Sequence, residues 1–373
     1  MYGVFKRIVL SMFLGEEIVL LDPDFSESEL EKILGVENFS GIHSSQKIEN
    51  SLSGLSIEKL IEKSKDLKSW RITLYTSGTT GLPKPVTHTF ENITRHVKKD
   101  DSRSSNIWGL AYNPTHMAGL QVFFQALLNQ NTIVRLFQLD KDVVSGQIEK
   151  HKVTHLSGTP TFYRLNTPRG VEFSNVVSVT SGGEKLDTRT MELLKSAFPN
   201  ASIKNIYAST EAGSLFLSED DVFKVRNSYT DLVRIDENEL LLHRELMGQS
   251  KMFTGDWYRT GDLVEVVGND PLRFKFISRE GDVINVGGYQ VNLIEVEDVI
   301  SQHPDVMIAS VYAKNNALLG NVVIAEVVSL STDLTEKLLL DYLRSELQEF
   351  KIPRMIKFTD EIKRTRTGKK KRN

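Results

Sequence analysis

The stretch NVVSVTSGGEKLDTRTMELLKSAFPNASIKNIYAST, residues 175–210, constrains the fold more than any other. An apolar run rich in β-branched residues ends at Gly182 and Gly183. Helical spacing follows, with Asp187 placed to cap it and Pro199-Asn200 to stop it, and a second apolar run returns. Strand, glycine turn, helix and strand in that order predict parallel pairing with ligands gathered at the loops after strand ends. The apolar runs IWGLAYNP, GLQVFFQALLNQ and TIVRLF, separated by turn signals, extend the same alternation. The fold class is α/β, with a large N-terminal domain of layered, mostly parallel sheets and helices.

Ahead of that core, IVLSMFLGEEIVLLD is broken by Gly15, Glu16 and Glu17. It is too short to span a bilayer and lacks a small-residue cleavage site, so it reads as a short helix and then a strand. In DFSESELEKILG, Ser26 or Ser28 caps a helix; SSQKIENSLSGLS is a loop; WRITLYT is a strand; TFENITRHVKKD has helical spacing. From about residue 279 the texture changes. DVINVGGYQV, DVMIASVYA, NVVIAEVV and PRMIKF read as strands, LIEVEDVISQH and TEKLLLDYLRSELQEF as amphipathic helices. This is a small C-terminal α+β unit, and the division into residues 1–278 and 279–373 is placed at SREGD.

The net charge of −3 supplies no global basic field for nucleic acid, and the absence of cysteine excludes disulfides and thiolate catalysis and fits a reducing cytoplasm. The stretch LYTSGTTGLPKPVTHT, residues 74–89, packs Thr76, Ser77, Gly78, Thr79, Thr80 and Gly81 ahead of Lys84. Bare glycine backbone lets N–H groups approach a polyphosphate, hydroxyls add donors, and the lysine adds a point charge. The spacing is not that of a Walker loop, and a flexible Ser/Thr/Gly loop is the alternative reading of such a cluster taken alone. Four other stretches bear on it: NIYASTEAG with Tyr207, Thr210 and Glu211; YRTGDL with Asp262; SREGDVINVGGYQV with Arg279; and RTRTGKKKRN with Lys369. Taken singly, each has a bland reading as surface carboxylate, turn residue, surface ion pair or solvated tail.

Together, in this order, they resemble the adenylate-forming superfamily of acyl- and aryl-CoA ligases, peptide-synthetase adenylation domains and luciferases. The resemblance runs from about residue 16 to the C-terminus, and YTSGTTGLPK, YRTGD and the terminal TGK carry it most specifically. It implies that the loop from Thr76 to Lys84 grips the β- and γ-phosphates of ATP, and that Thr80 and Glu211 hold Mg²⁺. It implies that Gly182, Gly183, Glu184, Tyr207 and Thr210 line the nucleotide and acyl pocket, that Asp262 accepts the ribose hydroxyls, and that Arg279 approaches ribose and phosphate. Lys369 is then the catalytic lysine, reaching in from a mobile C-terminal domain. His116 and Gly119 in NPTHMAGL would border the acyl pocket, Gly281 would be the hinge, and Gly287 and Gly288 would let pantetheine pass.

The sequence departs from the family pattern at Pro85, which follows the loop lysine in place of glycine, at Ala208 in place of glycine, and at Gly281 in place of Asp or Lys. Lys363 and Thr367 replace a frequent proline and serine. About 75 residues precede the phosphate loop, fewer than the family usually carries, implying either a compact branch or a missing part of the N-terminal subdomain.

The implied activity is ATP- and Mg²⁺-dependent conversion of a small carboxylic acid to acyl-AMP, then thioester formation with coenzyme A. The alternatives are delivery to a carrier protein in trans and a nucleotide-binding module that no longer catalyses. Compactness is shared with o-succinylbenzoate–CoA ligases, although no residue selects that acid. A homodimer is among the expected assemblies. The KKKR tail does not make a nucleic-acid binder, because no aromatic stacking platform accompanies it.

Overall fold

A computed structural model describes residues 1–22, 25–34, 67–76, 83–316, 319–365 and 369–370. The segment 175–210 forms the unit its pattern predicts. Strand Ser178–Gly182 pairs in parallel with Ser202–Ser209, joined by helix Thr188–Ala197. Asp187 accepts the Thr190 N–H at the helix start, satisfying one of its free donors.

This unit is the middle of a six-stranded sheet. Its spatial order is Thr132–Arg135, Ile107–Leu110, His155–Gly158, Ser178–Gly182, Ser202–Ser209 and Gly213–Ser218, all parallel except the last pair. Because successive side chains alternate faces, Leu156, Val179 and Ile203 enter a core with Val144, Ile148, Tyr163 and Leu194 from the covering helices. Trp108, His155, Ser178, Thr180 and Lys204 share the opposite face, which borders a cavity instead.

Helix Tyr2–Leu14 and strand Ile18–Val19 match the expected order, although the strand is short. The helix buries Phe5, Ile8 and Met12 in a cluster with Trp70, Phe123 and Phe124, and Trp70 donates its indole N–H to Ser11 Oγ at 3.0 Å. Ser26, not Ser28, caps the next helix: its N–H donates to Glu29 Oε2 while its Oγ accepts the Glu29 N–H, a reciprocal capping box. Ile18–Val19, Arg71–Tyr75 and Pro85–Thr89 form a three-stranded sheet whose antiparallel pair carries the glycine-threonine loop.

The helix expected over residues 89–100 ends at Thr94. Tertiary bonds beyond it win over local spacing: Arg95 donates to the Leu246 carbonyl, and His96 sits between Arg226 and Tyr229. Residues 222–279 build a wholly antiparallel five-stranded sheet, packed through Phe274 and Phe223 onto Tyr207 and Phe216. Parallel pairing is therefore concentrated in the six-stranded sheet.

The antiparallel sheet ends at Arg279, and strand Val283–Val286 begins another. There Tyr289–Asn292, Val283–Val286, Gly320–Ser329 and Val306–Asn316 pair in order, with Met355–Phe358 parallel on Gly320–Ser329. Helices Leu293–Gln302 and Glu336–Glu346 cover it through Val296, Ile300, Leu339 and Leu343. This C-terminal unit sits on the larger one through polar bonds. Lys185 pairs with Asp298 at 2.7 Å, and Arg189 donates to the carbonyls of Ser301, His303 and Pro304 at the end of helix Leu293–Gln302. A cation there complements the helix dipole. A small apolar cluster, Leu165 with Met307, Ile308, Val328 and Ile362, completes the seat.

Candidate active site

Between the two units lies a cavity of about 190 Å³. On one wall Asp262, 3% exposed, faces Arg279 across the two-stranded ladder of Trp257–Asn269 and Leu272–Arg279. Arg279 Nε donates to Asp262 Oδ1 at 2.8 Å, and the Tyr207 hydroxyl donates to Oδ2 at 2.5 Å. Burial pushes the Tyr207 phenol far up, and Asp262 reinforces this, so the hydroxyl keeps its proton as donor. Asp262 raises the Arg279 pKa, keeping that guanidinium charged. Tyr207 thus orients the carboxylate as well as lining the cavity.

Lys369 enters from the C-terminal unit. A Cβ on Gly183 would lie 3.1 Å from Lys369 Cε, so the glycine, at φ +85°, leaves the lane along which the lysine passes. Burial lowers the Lys369 pKa, Arg279 lowers it further, and Glu184, Asp262 and Glu211 act in opposition. The segment is pinned on both sides. Thr365 N–H donates to the Lys369 carbonyl at 2.7 Å, and Lys370 N–H donates to Glu184 Oε1 at 2.8 Å. Glu184 Oε2 accepts the Thr161 N–H at 3.1 Å, tying the same carboxylate to the large unit. The Lys370 ammonium pairs with buried Glu297, which also accepts the Val311 N–H. Glu184 therefore docks the lysine segment besides bordering the cavity, a role the motif alone did not reveal.

Of the phosphate-loop candidates, Ser77, Gly78, Thr79, Thr80 and Gly81 lie outside the described residues. Its ends close on each other: Thr76 N–H donates to the Lys84 carbonyl at 3.0 Å. Thr210 and Glu211 occupy the turn between Ser202–Ser209 and Gly213–Ser218, held by buried His88, whose Nε2 meets the Thr210 carbonyl at 2.8 Å. Thr210 borders a cavity described below, and the Glu211 charge acts on Arg279, Lys369 and Tyr258. A carboxylate such as Glu211 is the donor type that suits Mg²⁺, a hard cation bound through one or two carboxylates, substrate phosphates and water. Among the described residues no group of three or more Asp, Glu, His or Cys is placed to hold a metal ion by itself.

A second cavity, of about 700 Å³, meets the first at Gly183 and Lys369 and runs along the exposed sheet face beside helix Met117–Leu128. Gly182 and His116 line it. His116 Nε2 stands 2.5 Å from Oδ2 of Asp22, itself 5% exposed. Asp22 went unnoticed in the sequence because nothing local distinguishes it from a turn residue. Gly119, on helix Met117–Leu128, is not among the residues bordering this cavity. A Cβ there would lie 2.2 Å from the Asn113 carbonyl oxygen, so it serves helix packing against that turn. Gly287 and Gly288, at φ 58° and 94°, turn a hairpin that borders neither cavity in this arrangement of the two units. Gly281 lies in the short turn Glu280–Asp282, outside the left-handed region and with open space around it.

The model of the AMP-binding enzyme family matches residues 14–233, and that of the AMP-binding enzyme C-terminal domain matches 295–369. This chain belongs to the AMP-binding enzyme family. A 2-succinylbenzoate–CoA ligase of Listeria innocua is 25% identical over 400 residues, covering 98% of this chain and 82% of that protein. The long-chain-fatty-acid–CoA ligase FadD13 of Mycobacterium tuberculosis is 27% identical, covering 79% of this chain and 65% of that one. The o-succinylbenzoate coenzyme A synthetase of Bacillus subtilis, solved with AMP, shares the fold at a TM-score of 0.71 and 20% identity, covering 99% of this chain and 85% of that chain. The two cavities of this AMP-binding enzyme meet where its two matched domains meet. No helix among its described residues is long and apolar enough to cross a membrane.

Proposed function

We propose that this AMP-binding enzyme is an acid–thiol ligase. It joins a carboxylic acid to the AMP part of ATP with release of pyrophosphate, then passes the acyl group to coenzyme A. The observation that carries this reading is Lys369, brought from the C-terminal unit to Gly183 at the junction of the two cavities. A pure nucleotide binder has no use for a lysine delivered there. We place the domain boundary between residues 278 and 279, one residue before the antiparallel sheet ends at Arg279 and ahead of the next sheet's first strand at Val283.

In this reading Asp262, oriented by Tyr207 and Arg279, accepts the ribose hydroxyls, and the loop from Thr76 to Lys84 takes the leaving pyrophosphate. Glu211 and Thr80 would hold Mg²⁺, which would supply positive charge against the phosphates. Lys369 lies between acid and α-phosphate, countering the repulsion of two anions and the charge that grows as the P–O bond to pyrophosphate breaks. The attacking carboxylate is already ionised, so the chain needs no general base. The expected setting is a reducing cytoplasm, with a carrier protein in trans as the alternative acceptor and a homodimer as the assembly to check.

The test is pyrophosphate exchange over a panel of short, long and aromatic acids, 2-succinylbenzoate first in view of the Listeria relative, then addition of coenzyme A to the active acid. Exchange and a coenzyme A thioester are expected. Nucleotide binding with no exchange on any acid would refute the ligase reading; exchange with transfer only to a carrier phosphopantetheine would refute the acceptor.

A further inference from the structure

The second cavity is charged at the end away from Lys369. Strand register sets the distances. Gly182, paired with Ile206, is level with the lysine; Thr180 and Lys204 lie two residues back, and Ser178, His155 and Trp108 four residues back. At about 3.3 Å per residue these rows lie roughly 7 and 13 Å from the Gly182 level. Lys204 stands in the nearer of these rows, and Arg103 acts on His155 in the farther one; Lys98, Arg95 and Arg226 also line the cavity, against a single lining carboxylate, Glu219. None of the five cations makes a salt bridge among the described residues.

Two histidines register this field. His96 is lowered to about 4 by burial, Arg226 and Arg95, and His155 to about 4 by burial and Arg103. Both are neutral near pH 7, and the surrounding cations keep them so. An acid with a wholly apolar tail would take water from Lys204 and Arg103, both half-buried and without an ion pair among the described residues, and give them no counter-charge, which costs free energy. A tail ending in an anion would meet Lys204 and Arg103 in a partly enclosed space, where charge-assisted bonds are strong.

We propose that the acid carries a second anionic group, roughly 7–13 Å from the carboxylate that is activated, and that Lys204 and Arg103 at the strand-start end of the sheet select it. This rests on the ligase reading and narrows its substrate class to diacids and acids with a distal phosphate or sulfate. The phosphates of coenzyme A are the other anions that cations here would suit, so the test separates the two sources.

The experiment measures pyrophosphate exchange without coenzyme A, using acids matched in shape. 2-Succinylbenzoate is compared with 3-benzoylpropionate, which lacks only the ring carboxylate, and a straight-chain diacid with the monoacid of equal length. The wild-type enzyme is expected to favour at least one diacid by tenfold or more in kcat/KM. Lys204→Gln and Arg103→Gln are each expected to lower that ratio by about tenfold, mostly through the KM of the diacid. A ratio near one, or one unchanged by both substitutions, overturns the proposal. So does an effect of the substitutions confined to the step with coenzyme A, which assigns the cations to its phosphates. Calorimetry of the diacid with nucleotide-loaded protein keeps the two readings apart. Lys204-dependent binding without exchange refutes the ligase reading and upholds the anion site; exchange on monoacids alone refutes the site and upholds the ligase; neither binding nor exchange refutes both.

Discussion

Replacing Glu184 with glutamine tests how the lysine segment is held. One carboxylate oxygen accepts the Lys370 N–H at 2.8 Å and the other the Thr161 N–H at 3.1 Å, so a single side chain bridges the two units. Glutamine keeps the size but offers one acceptor oxygen and one NH₂ group, which must point a donor at a donor. A hydrogen bond to a charged acceptor contributes about 1.5–3 kcal/mol, equivalent to roughly 10- to 150-fold in a rate that depends on the docked arrangement. The site is only part-buried, so the lower half of that range is expected. Under the ligase reading, pyrophosphate exchange in Glu184→Gln should fall about tenfold, mainly in kcat. Thioester formation from separately supplied acyl-AMP should change less than about twofold, because that step does not need Lys369 in place. A melting curve checks that folding is intact. Equal loss in both half-reactions, or none in exchange, would show that Glu184 does not position the lysine.

Lys369→Ala should lose about 10²- to 10³-fold in exchange while still binding ATP by calorimetry. The Lys369 pKa is depressed, and the ammonium is the working form, so activity is present at low pH and lost as pH rises through the folded-state value. The alkaline limb of kcat/KM should therefore fall below the ordinary lysine value of 10.5 and be absent in Lys369→Arg. Tyr207→Phe removes the donor to buried Asp262 and should destabilise the fold by about 1.5–3 kcal/mol in denaturant unfolding. An unchanged midpoint would mean that Asp262 finds another partner. Gly119→Ala, whose new carbon meets the Asn113 oxygen at 2.2 Å, should cost about 1–3 kcal/mol of stability without altering the ranking of acids. A changed ranking would return Gly119 to the acyl pocket.

What was legible in the sequence was local. Residues 175–210 announce a strand, a capped helix and a strand because Gly182-Gly183, Asp187 and Pro199 each act within a few positions. The C-terminal strands were legible because Val306–Asn316 and Gly320–Ser329 carry long apolar, β-branched runs, and because Gly287-Gly288 marks the turn between Val283–Val286 and Tyr289–Asn292. The antiparallel sheet over residues 222–279 was not legible: its long strand Trp257–Asn269 is bulged twice against its neighbour, which breaks the two-residue period. The helix after Thr89 was overestimated because Arg95 and His96 are claimed by residues more than a hundred positions away. The motif residues Tyr207, Asp262, Arg279 and Lys369 could be named, but Glu184 as a dock, Asp22 beside His116 and the cations around Lys204 could not. Each gains its meaning from a partner on another element.

The seat of the C-terminal unit bears on the reaction order. Besides Leu165 and its four apolar neighbours, the described contacts include an ion pair and polar hydrogen bonds: Lys185 with Asp298, Arg189 with the carbonyls at the end of helix Leu293–Gln302, Arg164 with the Ser301 hydroxyl, and Glu184 with the Lys370 amide. Partly exposed pairs of this kind contribute little individually, about 0–1 kcal/mol, and water can replace them. An interface made largely of them resembles transient domain contacts more than a core. That suits a ligase whose lysine must be present while acyl-AMP forms and out of the way when the thiol arrives. A seat built of buried leucines would hold the lysine better and release it worse.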